Sequence, residues 1–244
     1  KNPTIDLKGI LMVYNNPPFA IISLNKSGVV RPKDLEGKIL GAPAPDGAYA
    51  QWKAFVAANN LEANQVTIEN VGFPVREPML AAGEVDAITG FSFSSFLNLK
   101  SKGVKEEDIN VMLMSDHGLK LYGNTVIVNP DFAAENPQLV KGFVKAITRG
   151  WLDTIADPNS AIDHLMDRNK IARRNVELER LEMAIRDNVI TAEVKERGFG
   201  DVDGQRLTES INQVGLTYDF SNKPTAVSVF TSEFLPEMSQ RKIN

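Results

Sequence analysis

"KILGAPAPDGAYAQWKAFVAANNLEANQVTIENVGFPVREPMLAAGEVDAITG", residues 38–90, decides the fold. Its apolar pattern switches between strand and helix periods. "KILGA" reads as a buried strand, "AYAQWKAFVAANN" as a helix, "QVTIENV" as a strand, "PVREPMLAAG" as a helix and "VDAITG" as a strand. Trp52, Phe55 and Val56 fall at helical spacing, Asn59 and Asn60 end that helix, and Gly83 sits at the C-cap of the next. Such βαβαβ alternation builds a parallel sheet with right-handed crossovers. Ligands of open parallel sheets bind beyond the carboxyl ends of the strands. Here those ends are "GAPAPDG" (41–47) and "TGFSF" (89–93), which are therefore expected on one edge.

Outside this run, "ILMVYNNPPFAIISL" (10–24) reads as two extended segments broken by Asn-Pro-Pro, and "LYGNTVIVNP" (121–130) as another ended by Asn-Pro. After residue 130 the chain turns helical. "PQLVKGFVKAITRGWLDTIADP", "NSAIDHLMDRN" and "NVELERLEMAIRDNVI" carry apolar residues at spacings of three and four. A last helix, "DGQRLTESINQVG", precedes "AVSVFTSEFLPEM", whose first part reads as a short β-rich run.

Composition excludes several function classes. With 27 basic and 31 acidic residues among 244, the net charge is -4, and no basic cluster suggests a nucleic acid or an anionic membrane as partner. Cysteine is absent, which removes disulfides, thiolate catalysis and cysteine-bound metals together. His117 follows Asp116, and adjacent residues on an extended chain point apart, so the two make a poor catalytic pair. His164 shares a helix with Asp163 and Asp167 and reads as a surface residue. "DVDG" (201–204) lacks the third acidic ligand and spaced Glu of a calcium loop and reads as a helix cap. The charge-balanced stretch 168–188 reads as a solvated helix face. No metal or cofactor is expected. The apolar run "ILMVY" falls far short of the roughly 20 residues that span a bilayer. The opening "KNPTIDLKG" has neither an initiator Met nor a signal-like segment, as expected if an upstream part has been removed.

Both strand-end loops are candidate sites. In the first, Gly41 and Gly47 permit close backbone approach, Pro43 and Pro45 stiffen the path, and Asp46 or Gly47 is placed to cap a helix beginning near Ala48. The loop is either a ligand cradle or a tight connection. A carboxylate at the cap competes with an anion for the helix N-terminus and so favours a neutral or amine-bearing ligand. In the second loop, Phe91 and Phe93 with Ser92, Ser94 and Ser95 suit stacking on a ring and bonding its edge; alternatively the two rings are core. Residues 90–94 also half resemble a nucleophile elbow centred on Ser92, with Ser94 in place of the closing glycine. That is the basis of an alternative serine-hydrolase reading.

In order along the chain, "SGVVRPKDLEGKILGAP", "AANNLEANQVTIENV", "PMLAAGEVDAITG", "YGNTVIVNPDFAAENPQLVKGFVKAITRGW" and "GFGDVDGQRL" resemble the ABC-transporter solute-binding proteins of the NMT1/THI5-like group, which bind taurine, alkanesulfonates, nitrate and thiamine-precursor pyrimidines. The resemblance implies an α/β fold of the type II periplasmic-binding-protein kind, with two lobes, a hinge and solute held in the cleft between them. Residues 1–30 would be the end of lobe one and the first crossing strand, 31–120 lobe two, and 121–244 the second crossing strand and the helical C-terminal part of lobe one. Family members begin with further βαβ units, so the N-terminal part of lobe one is expected to lie outside this chain. The implied function is non-enzymatic: a monomeric, periplasmic or envelope-associated protein that delivers a small solute to an ABC permease. Asp46, Gly47, Ala48 and Tyr49 would contact a polar part of the solute, and Phe91, Ser92 and Phe93 would line an aromatic side. Asn15, Asn16, Tyr122 and Asn124, near the crossings, would orient it. A pyrimidine-like heterocycle fits both rings and hydrogen bonds; the alternative is a sulfonate, taurine or nitrate-type anion. Family members often carry Ser or Thr in the loop matching Asp46, so Asp46 points away from the anions. The enzymatic pyrimidine synthases of the group use a cysteine-rich motif that this chain lacks.

Overall fold

A computed structural model describes residues 6–243. In chain order the elements are β1 (Lys8–Met12), β2 (Phe19–Leu24), β3 (Ile39–Gly41), α1 (Trp52–Asn59), β4 (Thr67–Glu69), α2 (Phe73–Ala82), β5 (Ala87–Phe91), α3 (Ser92–Ser101), β6 (Ile109–Leu113) and β7 (Thr125–Val128). Helices follow: α4 (Pro130–Glu135), α5 (Pro137–Ala156), α6 (Pro158–Arg168), α7 (Arg174–Ala184), α8 (Ala192–Arg197), α9 (Gly204–Val214) and α10 (Ala226–Val229), with a π-helical turn at Ile185–Val189.

The chain divides into two compact units. Unit one holds the described residues through Pro17, then Leu121–Ile211 and Phe220 onward; unit two holds Pro18–Lys120 and Asn212–Asp219. Residues from Pro18 belong to unit two because β2 is hydrogen-bonded on both sides within its sheet, to β5 and to β6.

Unit two is a five-stranded sheet in the order β4-β3-β5-β2-β6. The 38–90 run supplies the parallel part that its alternation predicts, with Leu40 opposite both Ile68 and Ala87. β2 and β6 extend it: β2 runs antiparallel to β5 and β6, so the sheet as a whole is mixed. "AIISL" in β2 is buried at every position, the continuous apolar pattern of a strand covered on both faces. Ile22, Leu40, Phe55, Leu80, Ile88 and Leu99 build the core. The helix stops also follow the sequence: Asn60 ends α1 and Gly83 ends α2, both in the left-handed region at φ 51° and 82°.

Unit one pairs β1 with β7 in an antiparallel ladder and packs α5 on it through Val140 and Val144, with Ile10, Leu11, Val189, Phe199 and Phe234 in the same core. "YGN" before β7 follows from close backbone approach. The Gly123 N–H donates to the Tyr14 carbonyl at 2.8 Å, and a Cβ there would lie 2.7 Å from that of Tyr14.

Two local expectations are corrected. The 226–229 segment is a helical turn rather than a strand, because Thr225 and Ser228 form a reciprocal cap that closes it; only Phe230 makes a β-bridge, to Gly9. The helix expected from about Ala48 becomes regular only at Trp52, after a 3₁₀ turn at Tyr49–Gln51. Asp46 sets that delay by accepting the Ala48 N–H on its side chain and the Ala50 N–H on its carbonyl.

Candidate functional site

In unit two the ends of β3 and β5 lie side by side, as parallel pairing demands, and their loops meet. Asp46 is buried at 4% exposure, with every carboxylate contact internal. Its Oδ2 accepts the Thr89 hydroxyl at 2.6 Å, its Oδ1 accepts the Ala48 N–H at 3.3 Å, and Arg76 Nη1 lies 3.8 Å from Oδ2. Arg76 Nη2 also donates to Glu77 Oε1 at 2.7 Å and to Ser95 Oγ at 3.1 Å, and Ser95 donates to the same Glu77 oxygen at 2.8 Å. Gly90 leaves room for this cluster: a Cβ there would lie 2.4 Å from Ser95 Oγ. Asp46 therefore works as an internal brace. The Gly47 and Tyr49 N–H groups, by contrast, hydrogen-bond no described residue.

Beside those amides stands an aromatic cluster. Phe19 and Phe91 are register partners with ring centroids 5.8 Å apart, and Phe93 meets Phe91 edge-on at 6.4 Å. A Cβ on Gly47 would lie 3.4 Å from the Phe19 ring and 3.9 Å from that of Phe91, so the loop backbone lies against the rings. Phe91 is 38% exposed. Ala48 is buried. Ser92 is fully buried at the first position of α3, where its N–H donates to the Pro18 carbonyl; its hydroxyl meets no hydrogen-bonding partner among the described residues, so nothing there activates it as a nucleophile.

The remaining predicted residues lie in unit one and serve a different structure. Arg206 of α9 donates through Nη1 to Asn15 Oδ1 (2.7 Å) and Glu193 Oε2 (3.0 Å). Its Nη2 donates to the Asn15 carbonyl (2.8 Å), Asn16 Oδ1 (2.8 Å) and the Leu121 carbonyl (2.9 Å). The guanidinium also lies over the Tyr122 ring at 4.1 Å. The Tyr122 hydroxyl donates to Glu193 Oε1 at 2.6 Å and accepts the Asp203 N–H at 2.7 Å; burial, then the Glu193 carboxylate, push its pKa well above the usual phenol value. Asn15, at 1% exposure, also accepts the Thr191 hydroxyl. Asn124 is exposed and takes part through its backbone carbonyl, which accepts from Val13 and Tyr14. Asp203 caps α9 by accepting the Arg206 N–H at 2.8 Å, as the reading of "DVDG" expected.

Sequence reasoning missed Phe19, Thr89, Glu193 and Arg206. Phe19 opens an extended run and Thr89 lies in the strand that leads into a candidate loop, so both were findable by pairing strand ends. Glu193 and Arg206 stand in helical, charge-rich sequence that looks like ordinary solvated surface.

The π-helical turn adds one more residue. Asn188 is fully buried; its carbonyl accepts the Asn16 N–H at 3.0 Å, yet neither side-chain amide atom meets a partner among the described residues. An unpaired buried polar group costs stability, so Asn188→Leu is expected to leave unfolding free energy unchanged or raise it by up to ~1 kcal/mol in urea denaturation. A loss larger than that would mean the amide is engaged.

Among the described residues no group of three or more His, Asp or Glu side chains is arranged to hold a metal, and no helix is long and apolar enough to cross a membrane.

Comparison with known proteins places this geometry in context. The riboflavin-binding protein RibY of Chloroflexus aurantiacus is 28% identical over 242 residues, 95% of this chain and 66% of its own, so the chain spans just under two thirds of that relative's length. The periplasmic aliphatic sulphonate binding protein SsuA of Escherichia coli superposes with a TM-score of 0.68 at 13% identity, over 98% of this chain and 70% of its own. A putative periplasmic sulfonate-binding SsuA of Methylobacillus flagellatus KT gives 0.65 at 15% identity, over 94% and 67%. Both structures share the fold, that of periplasmic binding proteins. The family model described as NMT1/THI5 like matches residues 2–161, more than half of the sequence, and the chain therefore belongs to the NMT1/THI5-like family.

Proposed function

We propose that the chain is the solute-binding component of an ABC importer and that unit two holds a flat heteroaromatic solute against Phe91. The observation that carries this is the convergence of two unengaged amides, Gly47 and Tyr49, with an aromatic cluster containing a partly exposed Phe91. Rings supply a stacking face and backbone N–H groups supply donors to a carbonyl or ring nitrogen at its edge. Asp46 presents no free carboxylate oxygen to this surface, because Thr89, Ala48 and Arg76 engage both. A relative named for riboflavin binding supports the heteroaromatic class. In this reading the protein acts as a monomer in the periplasm or at the cell envelope, performs no covalent chemistry and passes its solute to a membrane permease.

A sulfonate is the second reading, favoured by the α3 N-terminus, where Phe91 provides no side-chain cap. Fluorescence titration separates the two. Riboflavin or a pyrimidine should bind, and Phe91→Ala should weaken that binding about tenfold, the size expected for one lost aromatic stacking contact. Thermal stabilisation by alkanesulfonates alone, indifferent to Phe91→Ala, would reject the heteroaromatic reading.

A further inference from the structure

Unit two exposes two of its phenylalanines, and both stand at the carboxyl edge of the sheet. Phe91 closes β5; Phe73 opens α2 straight after the loop that leaves β4, and 46% of it is exposed. β4 and β5 each pair in parallel with β3, one on either side, and β3 runs into the loop that carries the Gly47 and Tyr49 amides. A ring is therefore based on each flank of those donors. Phe73 is also held. The buried Arg76 guanidinium lies 5.5 Å from its ring centroid, reaches Asp46 at 3.8 Å and would lie 3.3 Å from a Cβ on Gly90, the residue before Phe91. Asn70, in the loop after β4, accepts the Ala44 N–H at 3.2 Å and ties that loop to the one bearing the amides. A ring fixed by its own protein before a solute arrives loses little further freedom on stacking, which lowers the cost of binding there.

The carboxyl ends of β4 and β5 are two strand spacings apart, about 9–10 Å. One six-membered ring stacked on Phe91 does not bridge that span, whereas two or three fused rings do. Resting on the reading of this edge as a heteroaromatic site, we infer that Phe73 is its second stacking residue and selects a solute of two or three fused rings over a single ring. The fused system lies across the Gly47–Tyr49 turn, with its ends on Phe91 and Phe73 and its edge acceptors toward the two amides.

Lumichrome and thymine separate the cases, because both present a pyrimidine-dione edge and only lumichrome adds two fused rings. Lumichrome, followed by its fluorescence, should bind the protein at least about tenfold more tightly than thymine, measured by calorimetry. Phe73→Leu keeps an apolar side chain over Arg76 but removes the ring; it should weaken lumichrome about five- to tenfold and change thymine by less than about twofold. Phe73→Tyr, which keeps the ring, should stay within about twofold of wild type for both. Phe91→Ala should weaken both probes. Equal wild-type affinities for the two probes overturn the inference whether or not a variant folds. So does a Phe73→Leu variant with unchanged lumichrome affinity, where the ring merely shields Arg76, and so does one that weakens both probes alike, where the loss travels through Arg76. In each of these results the heteroaromatic reading stands if Phe91→Ala still weakens binding. Binding of neither probe removes that reading together with the inference.

Discussion

Arg206→Leu is expected to destabilise unit one by roughly 2–4 kcal/mol, somewhat below the cost of breaking a fully buried ion pair from one side because this pair is only partly buried. The substitution removes at least five hydrogen bonds at once and leaves Glu193, 16% exposed, facing Tyr122 and Asn15 without its cation. It also leaves the carbonyls of Leu121 and Asn15 and the Asn16 side-chain oxygen without this donor. Arg206→Lys should recover part of the loss, since an ammonium keeps the charge but cannot reach on two nitrogens toward Asn15, Asn16, Glu193 and Leu121 together. Urea denaturation followed by circular dichroism measures both. A loss below about 1 kcal/mol for the leucine variant would mean the network is solvent-screened and structurally idle.

Arg76→Leu should have a comparable effect on unit two. Its guanidinium is the cation beside Asp46 and Glu77, whose side chains are each 4% exposed. Without it two buried carboxylates face each other's surroundings uncompensated, at roughly 3–5 kcal/mol. The double substitution Arg76→Leu/Glu77→Leu separates charge from packing. Removing the partner carboxylate should restore a large share of the stability, and a double variant as unstable as the sum of its parts would show that the two side chains do not couple. Because Asp46 also braces the Gly47–Tyr49 turn, Arg76→Leu should weaken solute binding at temperatures where the fold survives.

The parallel part of unit two's sheet was legible in residues 38–90 because helix and strand periods are local properties of a sequence. Asn60 and Gly83 marked their helix ends for the same reason: each needs φ > 0, and few residue types tolerate it. The strand-end loops were legible from the topology that parallel pairing imposes. What could not be read is long-range pairing between polar side chains. Arg206 meets Asn15 across 191 positions, and nothing in "GQRLTES" distinguishes that arginine from one in solvent. The same limit applied to Asn15, Asn16 and Tyr122, whose hydrogen bonds to Arg206 and Glu193 no local pattern announces. Asp46 shows the limit in reverse. Its type suggested a charge presented to a ligand, while Thr89, 43 positions away, turns it inward.

The pairing of β1 with β7 bears on how the protein is made. Lys8–Met12 leaves the ribosome more than a hundred residues ahead of Thr125–Val128, its partner, whereas the strands of the other unit all arrive in between. An apolar segment with free edges must therefore wait in the open while its neighbour folds, a window in which nascent chains associate wrongly or need a chaperone.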